Sequence, residues 1–447
     1  MLRAVLVANR GEIARRVFRA CRRLGVGTVA VYSEADRDAP HVREADQGVL
    51  LGPAPARESY LDIERILDAA RRSGADALHP GYGFLSENWR FAEACARAGL
   101  TFIGPPAEVI RAMGDKTEAR RLMAAARVPT VPGSPGPVAD AAAGEAVAGS
   151  IGFPLIIKAA GGGGGIGRVR VDRAADLAAA FATATRRAQS AFGNAAVYLE
   201  RYLERPRHVE VQVFADHHGA VVHLHERECS IQRRHQKLIE ESPAPGLSPT
   251  TKRGLTEAAV AGARAIGYGN AGTMEFLVDA AGRFYFLEMN TRIQVEHPVT
   301  EEVTGLDLVV EQLRVAAGER LAWRQDDIVQ RGAAVECRVY AEDPEKNFLP
   351  SPGTIARLEL PGGEGIRIES GVEAGSVVSI HYDPLLLKLV ARGGGRDEAL
   401  DRMRAALRGT VVEGVRTTIP FLHKALDHPD VRRGDLHTQM VDQGAFR

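Results

Sequence analysis

The stretch GTMEFLVDAAGRFYFLEMNTRIQVEHPVTE, Gly272–Glu301, contains two strand-like segments joined by a turn near Ala280–Gly282. Folding it as a hairpin places Glu275 opposite Glu288, within one residue of register. Two carboxylates that face each other across strands repel, and both have apolar neighbours here. A divalent cation such as Mg²⁺, which prefers oxygen ligands, relieves that repulsion. The stretch therefore predicts a metal-binding hairpin; the alternative is that one of the two carboxylates is exposed on the surface.

Polar residues continue beyond the hairpin at every second position: Glu288, Asn290, Arg292, Gln294 and Glu296. In an extended chain these side chains share one face, and the intervening Met289, Ile293 and Val295 face the other way. Glu288 and Asn290 would complete the metal site, and the fork of donors on Arg292 suits a small planar anion. Glu296 is a candidate general base. The alternative is an ordinary solvated strand face.

A run of five glycines lies in KAAGGGGGIGRVRV, Lys158–Val171, between two strand-like segments. Flexible linkers are usually Gly/Ser mixtures between domains, whereas this run resembles the loop of a hairpin. Backbone N–H groups without side chains approach phosphate oxygens closely, and such a loop also serves as a mobile lid. Lys158 would neutralise a phosphate. No Gly-Lys-Ser/Thr follows, so the run is not a Walker A loop.

Two further stretches carry clustered charge. In CSIQRRHQKLIEESPAP, Cys229–Pro245, and at Arg227 just before it, cationic and histidine side chains suggest an anion-binding loop; the alternative is a solvated basic strand or helix. The cluster consists of Arg227, Arg233, Arg234, His235 and Lys237. In ECRVYAEDPEKNFLPSPGTI, the alternation places Glu336, Arg338 and Tyr340 on one strand face. An isolated arginine there is usually a surface ion pair.

The N-terminal part alternates strand and helix, which predicts a parallel sheet. AVLVA at 4–8 is a short buried strand, a helical pattern follows from Gly11 to Gly25, and GTVAVYS is the next strand. A dinucleotide fold begins this way, but the GxGxxG fingerprint is missing. The Pro/Gly loop Thr130–Asp140 indicates a boundary, and the strand-like segments after residue 204 predict a larger, mainly antiparallel α+β region.

Composition excludes several classes of function. The chain has 57 Lys plus Arg and 57 Asp plus Glu, which argues against bulk binding to nucleic acid or a membrane surface. Its four cysteines lie far apart, as reduced cytosolic thiols do. The start is unlike a signal peptide, and no apolar run approaches a membrane span. These features predict a cytoplasmic enzyme or enzyme subunit.

Taken together, the motifs resemble biotin carboxylase, the ATP-grasp component of biotin-dependent carboxylases. They are ANRGEIA, HPGYGFLSEN, MGDK, KAAGGGGG, ERYLERPRHVEVQV, ECSIQRRHQK, FLEMNTRIQVEHPVTE and ECRVYAEDP…FLPSPG. The resemblance implies α/β plus α+β architecture: a Rossmann-like pre-ATP-grasp domain (1–113), an ATP-grasp domain (114–324) with a mobile lid at about 131–203, and a C-terminal domain (333–442). It also implies that ATP and bicarbonate form carboxyphosphate, whose CO₂ is captured by biotin, with Mg²⁺ or Mn²⁺ at two sites.

The resemblance also implies a role for each residue that matches a family motif. ATP would be bound by Lys116, Lys158, Gly163, Gly164, Gly165, Glu200, Leu203, His208, Gln232, His235 and Leu277. The metal ligands would be Glu275, Glu288 and Asn290, with the two carboxylates also belonging to the ATP site. Bicarbonate would be held by Lys237, Arg292, Gln294 and the backbone of Val295. Glu296 would deprotonate it, Arg338 would stabilise the biotin enolate, and Tyr82 would lie beside biotin.

The glycine segment departs from the family pattern, which usually reads GGGGGKGM. Ile166, Gly167 and Arg168 stand in place of the last three residues, so the basic side chain has moved two positions. This change is expected to alter nucleotide affinity or lid closure. We also expect the segment to be mobile without ATP.

The chain has no Met-Lys-Met site for attaching biotin and no room for a carboxyltransferase. The resemblance therefore implies a subunit, commonly a homodimer, that acts on biotin carried by a separate biotin carboxyl carrier protein and works with carboxyltransferase subunits. An acyl-CoA is the expected final acceptor, with acetyl-CoA, and hence fatty acid biosynthesis, favoured. Two alternatives stay open: an ATP-grasp carboxylate–amine ligase of another pathway, and a non-catalytic nucleotide-binding paralogue.

Overall fold

The computed structural model of the chain describes residues 2–160 and 168–446. The predictions for Gly163, Gly164, Gly165 and Ile166, including the mobility of the glycine segment, lie outside these residues. Within the described ranges, every helix is too short or too polar to cross a membrane.

The N-terminal part is a five-stranded parallel sheet flanked by helices, as the alternating pattern predicted. Its strands are β1 (Ala4–Val7), β2 (Gly27–Ser33), β3 (Gln47–Gly52), β4 (Ala77–His79) and β5 (Thr101–Phe102). Its helices are α1 (Gly11–Arg23), α2 (Pro40–Glu44), α3 (Ile63–Ser73), α4 (Trp89–Arg97), α5 (Ala107–Gly114) and α6 (Lys116–Ala125). The strand order is β3-β2-β1-β4-β5, so the order reverses at β1 and β4. Ligands of open α/β sheets bind beyond the carboxyl ends of strands at such a point.

A small unit follows, with a core of its own. It contains α7 (Ala141–Ile151), β6 (Leu155–Ala159), β7 (Val169–Val171), α8 (Leu177–Phe192) and β8 (Val197–Arg201). The three strands form an antiparallel sheet in the order β7-β6-β8. Leu155, Ile157 and Leu199 are fully buried against α7 and α8. Because β6 pairs with β7, the glycine segment connects two partnered strands, as the hairpin interpretation predicted.

The rest of the chain is built on one large antiparallel sheet. The central part contains β9 (Arg207–Ala215), β10 (Val221–Arg233), β11 (Gln236–Ser242), α9 (Pro249–Ala265), β12 (Asn270–Val278), β13 (Phe284–Asn290), α10 (His297–Thr304) and α11 (Leu308–Ala316). The C-terminal part contains β14 (Ala333–Tyr340), β15 (Glu342–Asp343), β16 (Leu349–Pro350), β17 (Gly353–Thr354), β18 (Arg357–Glu359), β19 (Ile366–Ser370), β20 (Val377–Val378), β21 (Leu385–Gly393), α12 (Arg396–Arg408), β22 (Val411–Glu413), α13 (Ile419–Asp427) and α14 (Pro429–Arg433). The large sheet has the order β13-β12-β9-β10-β11-β14-β21-β19.

Alternation along β9 shows how this sheet presents polar groups. Its valines, 209, 211 and 213, are fully buried in the core that includes residues of α9. His208, Glu210 and Gln212 lie on the opposite face, as successive strand residues do. These three are also buried, at 5%, 0% and 0% exposure. Buried polar groups require partners, so this face of the sheet must be satisfied by other charged side chains or by a ligand.

Candidate active site

Most of the predicted site residues surround one cavity of about 480 Å³ between the small unit and the polar face of the large sheet. They are Lys116, Lys158, Glu200, His208, Gln232, His235, Lys237, Glu275, Glu288, Asn290, Arg292, Gln294, Val295, Glu296 and Arg338. Leu203, Leu277 and Tyr82 are not among the described residues of its wall. The structure therefore brings residues from six separate stretches of sequence into one site.

The two hairpin carboxylates meet as the hairpin prediction expected. Glu275 lies directly opposite Glu288 in the β12–β13 register. Burial opposes ionisation of Glu275, but the charges of Lys237 and His208 hold its pKa well below the usual range. Burial and the charge of Glu275 raise the pKa of Glu288. One buried and one half-buried carboxylate, facing each other, are a suitable oxygen donor set for a divalent cation.

Glu275 is the centre of the metal-type cluster. Its carboxylate accepts Asn290 Nδ2 at 2.8 Å, Gln294 Nε2 at 2.9 Å and Lys237 Nζ at 2.9 Å, and His208 Nε2 lies 3.0 Å away. Glu210 on β9 lies close enough to His208 and Glu275 for the three to hold one ion. Carboxylate oxygens such as those of Glu275 and Glu288 suit Mg²⁺, whereas the Asn290 amide oxygen accepts Arg292 Nη2 in this structure. The cluster therefore has the ligand chemistry that the hairpin sequence predicted.

The polar residues beyond the hairpin are not on a strand, contrary to the extended-chain expectation. Strand β13 lies at the edge of its sheet and ends at Asn290. The chain then turns to bury Ile293 fully in a core that includes α1 residues, and α10 begins at His297. Val295 lines the cavity, although alternation placed it on the other face. The packing of Ile293, not strand periodicity, directs the remaining polar groups into the cavity.

Glu296 lies between two cations. Its carboxylate accepts Lys237 Nζ at 2.6 Å and Arg338 Nη2 at 3.0 Å. Burial disfavours the charged form, but Lys237, Arg338 and Arg227 lower the pKa of Glu296 below its usual value. Glu296 is therefore ionised and has the form that a general base requires, although its cationic neighbours make it a weaker base than a free glutamate.

Arg292 is oriented by a residue of the N-terminal part. Its Nε lies 3.1 Å from Glu87 Oε2, and its Nη2 donates to Asn290 Oδ1 at 2.7 Å. Glu87 also accepts the Thr291 N–H at 3.2 Å. The sequence reasoning did not single out Glu87, although it lies within the quoted motif HPGYGFLSEN. Glu87 belongs to the site only because the end of β13 lies next to this loop in the folded chain.

Helix α6 and the small unit together supply cations to the opposite end of the cavity. Lys158 and Arg120 each form a short ion pair with one oxygen of Glu200. Arg120 was also missed, and its position four residues after Lys116 on one helix face was the available signal. Burial lowers the pKa of Lys116, and Arg168 Nη1 lies 2.9 Å from His235 Nε2. Arg168 thus points into the cavity despite its displaced position in the sequence.

The cationic segment does not form one anion-binding loop. Arg233 donates to the Asn347 carbonyl at 2.7 Å and lies over the Phe348 ring. Arg234 and His235 form the tight turn between β10 and β11, with φ of 48° and 70°. Arg227 is fully buried and bonds to Glu210. The predicted cluster is therefore divided by strand alternation among the cavity, the sheet interior and the C-terminal part.

Tyr82 and Arg338 are held in place by buried glutamates outside the cavity wall. The Tyr82 hydroxyl donates to Glu12 in a short hydrogen bond, and burial raises its pKa well above the usual value. Arg338 Nε donates to Glu240 Oε1 at 2.5 Å, and Nη1 donates to the Tyr340 hydroxyl at 3.3 Å. The β14 face with Arg338 and Tyr340 is thus buried and not a surface ion pair. Glu240 carried no sequence signal, because its partner is remote, whereas Glu12 lies within the quoted motif ANRGEIA but was assigned no role.

Comparison with known proteins places the whole chain in one family. Family models match the biotin carboxylase N-terminal domain over residues 1–110, the carbamoyl-phosphate synthase L chain ATP-binding domain over 115–324 and the biotin carboxylase C-terminal domain over 336–443. Biotin carboxylase 2 of Bacillus subtilis is 51% identical over 443 residues, covering 99% of this chain and 100% of the relative. Biotin carboxylase of Haemophilus influenzae is 52% identical over 445 residues, covering 99% of each.

Solved structures agree with this assignment. The biotin carboxylase domain dimer of Hydrogenobacter thermophilus 2-oxoglutarate carboxylase, in complex with MgADP, ADP and bicarbonate, has a TM-score of 0.94 and 47% identity, covering 100% of this chain and 99% of that one. Biotin carboxylase of Campylobacter jejuni has a TM-score of 0.95 and 45% identity, covering 99% of each chain. The chain therefore belongs to the biotin carboxylase family of ATP-dependent ligases.

Proposed function

We propose that this chain carboxylates biotin attached to a separate carrier protein, at the expense of ATP and bicarbonate. The observation that carries this proposal is the position of Glu296, which is buried between Lys237 and Arg338 beside the Glu275 cluster. This arrangement joins a base, an anion site and a metal site within one cavity, which bicarbonate activation requires.

The bicarbonate end of the cavity is assigned to Lys237, Arg292, Gln294 and the backbone of Val295. Glu296 accepts the bicarbonate proton while an oxygen of bicarbonate attacks the terminal phosphorus of ATP, releasing ADP and leaving carboxyphosphate. Lys237 and Arg292 then face an anion that gains charge during the step. Fixed cations directed at developing charge contribute more in a buried site than in water.

The nucleotide end is assigned to Lys116, Lys158, Glu200, Leu203, His208, Gln232, His235 and Leu277, together with the glycines at 163–165. Glu275, Glu288 and Asn290 would hold Mg²⁺ or Mn²⁺, which supplies charge neutralisation to the phosphates. Lys158 and Arg120 share Glu200 in the structure, so Lys158 must exchange this carboxylate for phosphate oxygens when ATP binds.

Arg338 and Tyr82 are assigned to biotin. Arg338 Nη2 lies 3.0 Å from Glu296, so the same guanidinium would adjoin both bicarbonate and the ureido oxygen of biotin. Carboxyphosphate breaks down to CO₂ and phosphate, and the phosphate accepts the N1 proton of biotin. A cation at the ureido oxygen stabilises the resulting enolate-like form, whose N1 attacks CO₂. We assign Tyr82 a place beside biotin through Glu12, to which its hydroxyl is bonded.

The wider assembly follows from the same proposal. We infer a homodimer that works with a biotin carboxyl carrier protein and carboxyltransferase subunits, with acetyl-CoA as the first acceptor to test. Domain boundaries at 1–113, 114–324 and 333–442 are supported by the ranges of the family models. Four buried free cysteines support a location in the cytoplasm.

ATP cleavage with Mg²⁺ tests the half-reaction. We expect ADP release to require bicarbonate and to rise when free biotin is added, because bicarbonate is the nucleophile and biotin removes its product. The measurement is a coupled ADP assay with bicarbonate removed and restored. ATP binding without bicarbonate-dependent cleavage would instead support the non-catalytic interpretation, and cleavage that requires an amine and another carboxylate would support the ligase alternative.

Replacing Arg168 with methionine is expected to weaken ATP binding about tenfold, since a charge-assisted hydrogen bond to phosphate is worth about 1.5–3 kcal/mol. Arg168 is suited to this contact because it lines the cavity near Lys116, and no described carboxylate forms an ion pair with it. Calorimetric titration with ATP measures the change. Arg170→Met is the matched control, because exposed Arg170 pairs with Asp172. Equal affinities in all three proteins would contradict the prediction.

A further inference from the structure

Two successive backbone carbonyls beside Glu296 are held by buried side chains that the proposed reaction does not use. The Gln294 carbonyl accepts His297 Nδ1 at 2.7 Å, and the Val295 carbonyl accepts Lys388 Nζ at 2.6 Å. His297 and Lys388 are both 0% exposed. Val295 and Glu296 line the cavity, whereas His297 and Lys388 are not among the described residues of its wall.

These contacts determine where the adjoining N–H groups point. In a trans peptide the N–H is directed opposite to the C=O of the same unit, and neither peptide unit here is cis. The Val295 N–H is therefore directed away from His297, and the Glu296 N–H is directed away from Lys388. Among the described residues, neither N–H donates to a protein acceptor. A backbone N–H without a protein acceptor pairs with water or a ligand, so two such groups on the wall of a cavity are available to a bound anion.

The surroundings of Lys388 show that its position is costly. Lys388 on β21 lies directly opposite Arg338 on β14, so two cations face each other across the strands. Like charges in that arrangement are destabilising. Arg338 is offset by Glu240 and Glu296. Lys388 is offset by Glu12, whose Oε1 lies 3.0 Å away, and by Glu369, which lies directly opposite it on β19. The ammonium therefore balances the buried carboxylates Glu12 and Glu369 and in addition donates to the Val295 carbonyl, a contact that a methionine would lose.

His297 is suited to act as a neutral donor. Burial and the nearby charges of Lys388, Arg16 and Arg367 hold its pKa well below the usual value. Its Nδ1 contacts the Gln294 carbonyl, which can only accept, so the ring proton is on Nδ1. Its Nε2 has no hydrogen-bond partner among the described residues. The ring therefore carries one proton, on Nδ1, and donates it to the Gln294 carbonyl.

We propose that Lys388 and His297 are positioning residues that aim the N–H groups of Val295 and Glu296 at bicarbonate and at the carboxyl oxygens of carboxyphosphate. This inference rests on the proposed function, which already gives bicarbonate the Val295 backbone, and adds to it two residues outside the cavity wall that orient that backbone. The bond from Lys388 to Glu12, which also accepts the Tyr82 hydroxyl, ties this site to the N-terminal part of the chain.

The test compares Lys388→Met with the unaltered full-length chain in the bicarbonate-dependent ADP assay. We expect kcat/KM for bicarbonate to fall about 10- to 100-fold, because a small misplacement of binding groups has effects of this size. The dissociation constant for ATP should change less than twofold. Lys388→Arg, which keeps a donor, should recover part of the loss. Lys252→Met is the matched control, since Lys252 forms its ion pair with Glu226, outside the cavity wall.

If Lys388→Met does not fold, His297→Phe removes the other donor and should show the same selective loss, with His297→Asn recovering part of it. A folded Lys388→Met with unchanged kcat/KM for bicarbonate would overturn the inference. Equal weakening of ATP and bicarbonate would also overturn it, because that result indicates a merely structural role. Absence of bicarbonate dependence in the unaltered chain would instead overturn the proposed function.

Discussion

Replacing Glu296 with glutamine should reduce bicarbonate-dependent ATP cleavage about 10²- to 10⁴-fold, the usual contribution of a general base. Glu296 is 1% exposed and is ionised, because Lys237 and Arg338 stabilise the carboxylate against the cost of burial. Glutamine has nearly the same shape and keeps one oxygen for Lys237, but it cannot accept a proton. The fold and the nucleotide end of the cavity should therefore be retained.

The expected pattern is a loss of kcat with a dissociation constant for ATP that changes less than twofold. ADP release with and without bicarbonate gives the first quantity, and calorimetry gives the second. Glu311→Gln provides a matched control, since Glu311 is also buried but its carboxylate accepts the Ala322 N–H outside the cavity wall. If Glu296→Gln kept more than a tenth of the activity, another group would have to accept the bicarbonate proton.

Replacing Arg227 with methionine should destabilise the protein by about 3–5 kcal/mol, the usual effect of removing one partner of a buried ion pair. Arg227 is fully buried and bonds to Glu210 at 2.5 Å. It also donates to four neutral side chains, Gln212, Thr273, Gln294 and Thr300. Methionine satisfies none of these acceptors and leaves Glu210 with Lys237 as its remaining ion-pair partner. Because Gln294 is among the acceptors, activity should also fall.

Urea denaturation of the full chain, followed by fluorescence and circular dichroism, measures the change in stability. Arg121→Met should change the free energy of unfolding by less than about 1 kcal/mol, because its ion pair with Glu118 is exposed. The double variant Arg227→Met/Glu210→Gln should recover part of the loss, since the buried anion is removed with its partner. A cost below about 1 kcal/mol for Arg227→Met would contradict the assignment of Arg227 as a structural cation.

The position of Arg227 in the structure illustrates why a cluster of like charges in a sequence does not show which of them bind a ligand. Arg227 and Lys237 lie on adjacent antiparallel strands, β10 and β11, and share Glu210 of the third strand, β9. The sequence separations between Lys237 and its partners Glu210, Glu275 and Glu296 are 27, 38 and 59 residues. No local pattern specifies such pairs, because they depend on which strands are neighbours in the sheet.

The periodicity of the sequence predicted those features that depend on neighbouring residues alone, namely the hairpin and the alternation of strands and helices. Two strands joined by a short turn place Glu275 against Glu288 whatever surrounds them, so the hairpin and its opposed carboxylates follow from the chain itself. The alternation of strand and helix likewise predicted the N-terminal parallel sheet, because right-handed crossovers leave few other arrangements. The order of the motifs was sufficient to indicate the family.

Only the tertiary structure decided how those groups are charged and aimed. Asn290 ends its strand and Ile293 enters the core, so the polar groups that follow reach the cavity without the alternation that suggested them. Lys388 reaches Val295 across 93 residues of sequence. The pKa of a side chain and the direction in which it points depend on burial and on partners that are remote in sequence, and both are decided only when the sheets pack together. The register of a hairpin, in contrast, follows from the alternation of residues along its two strands.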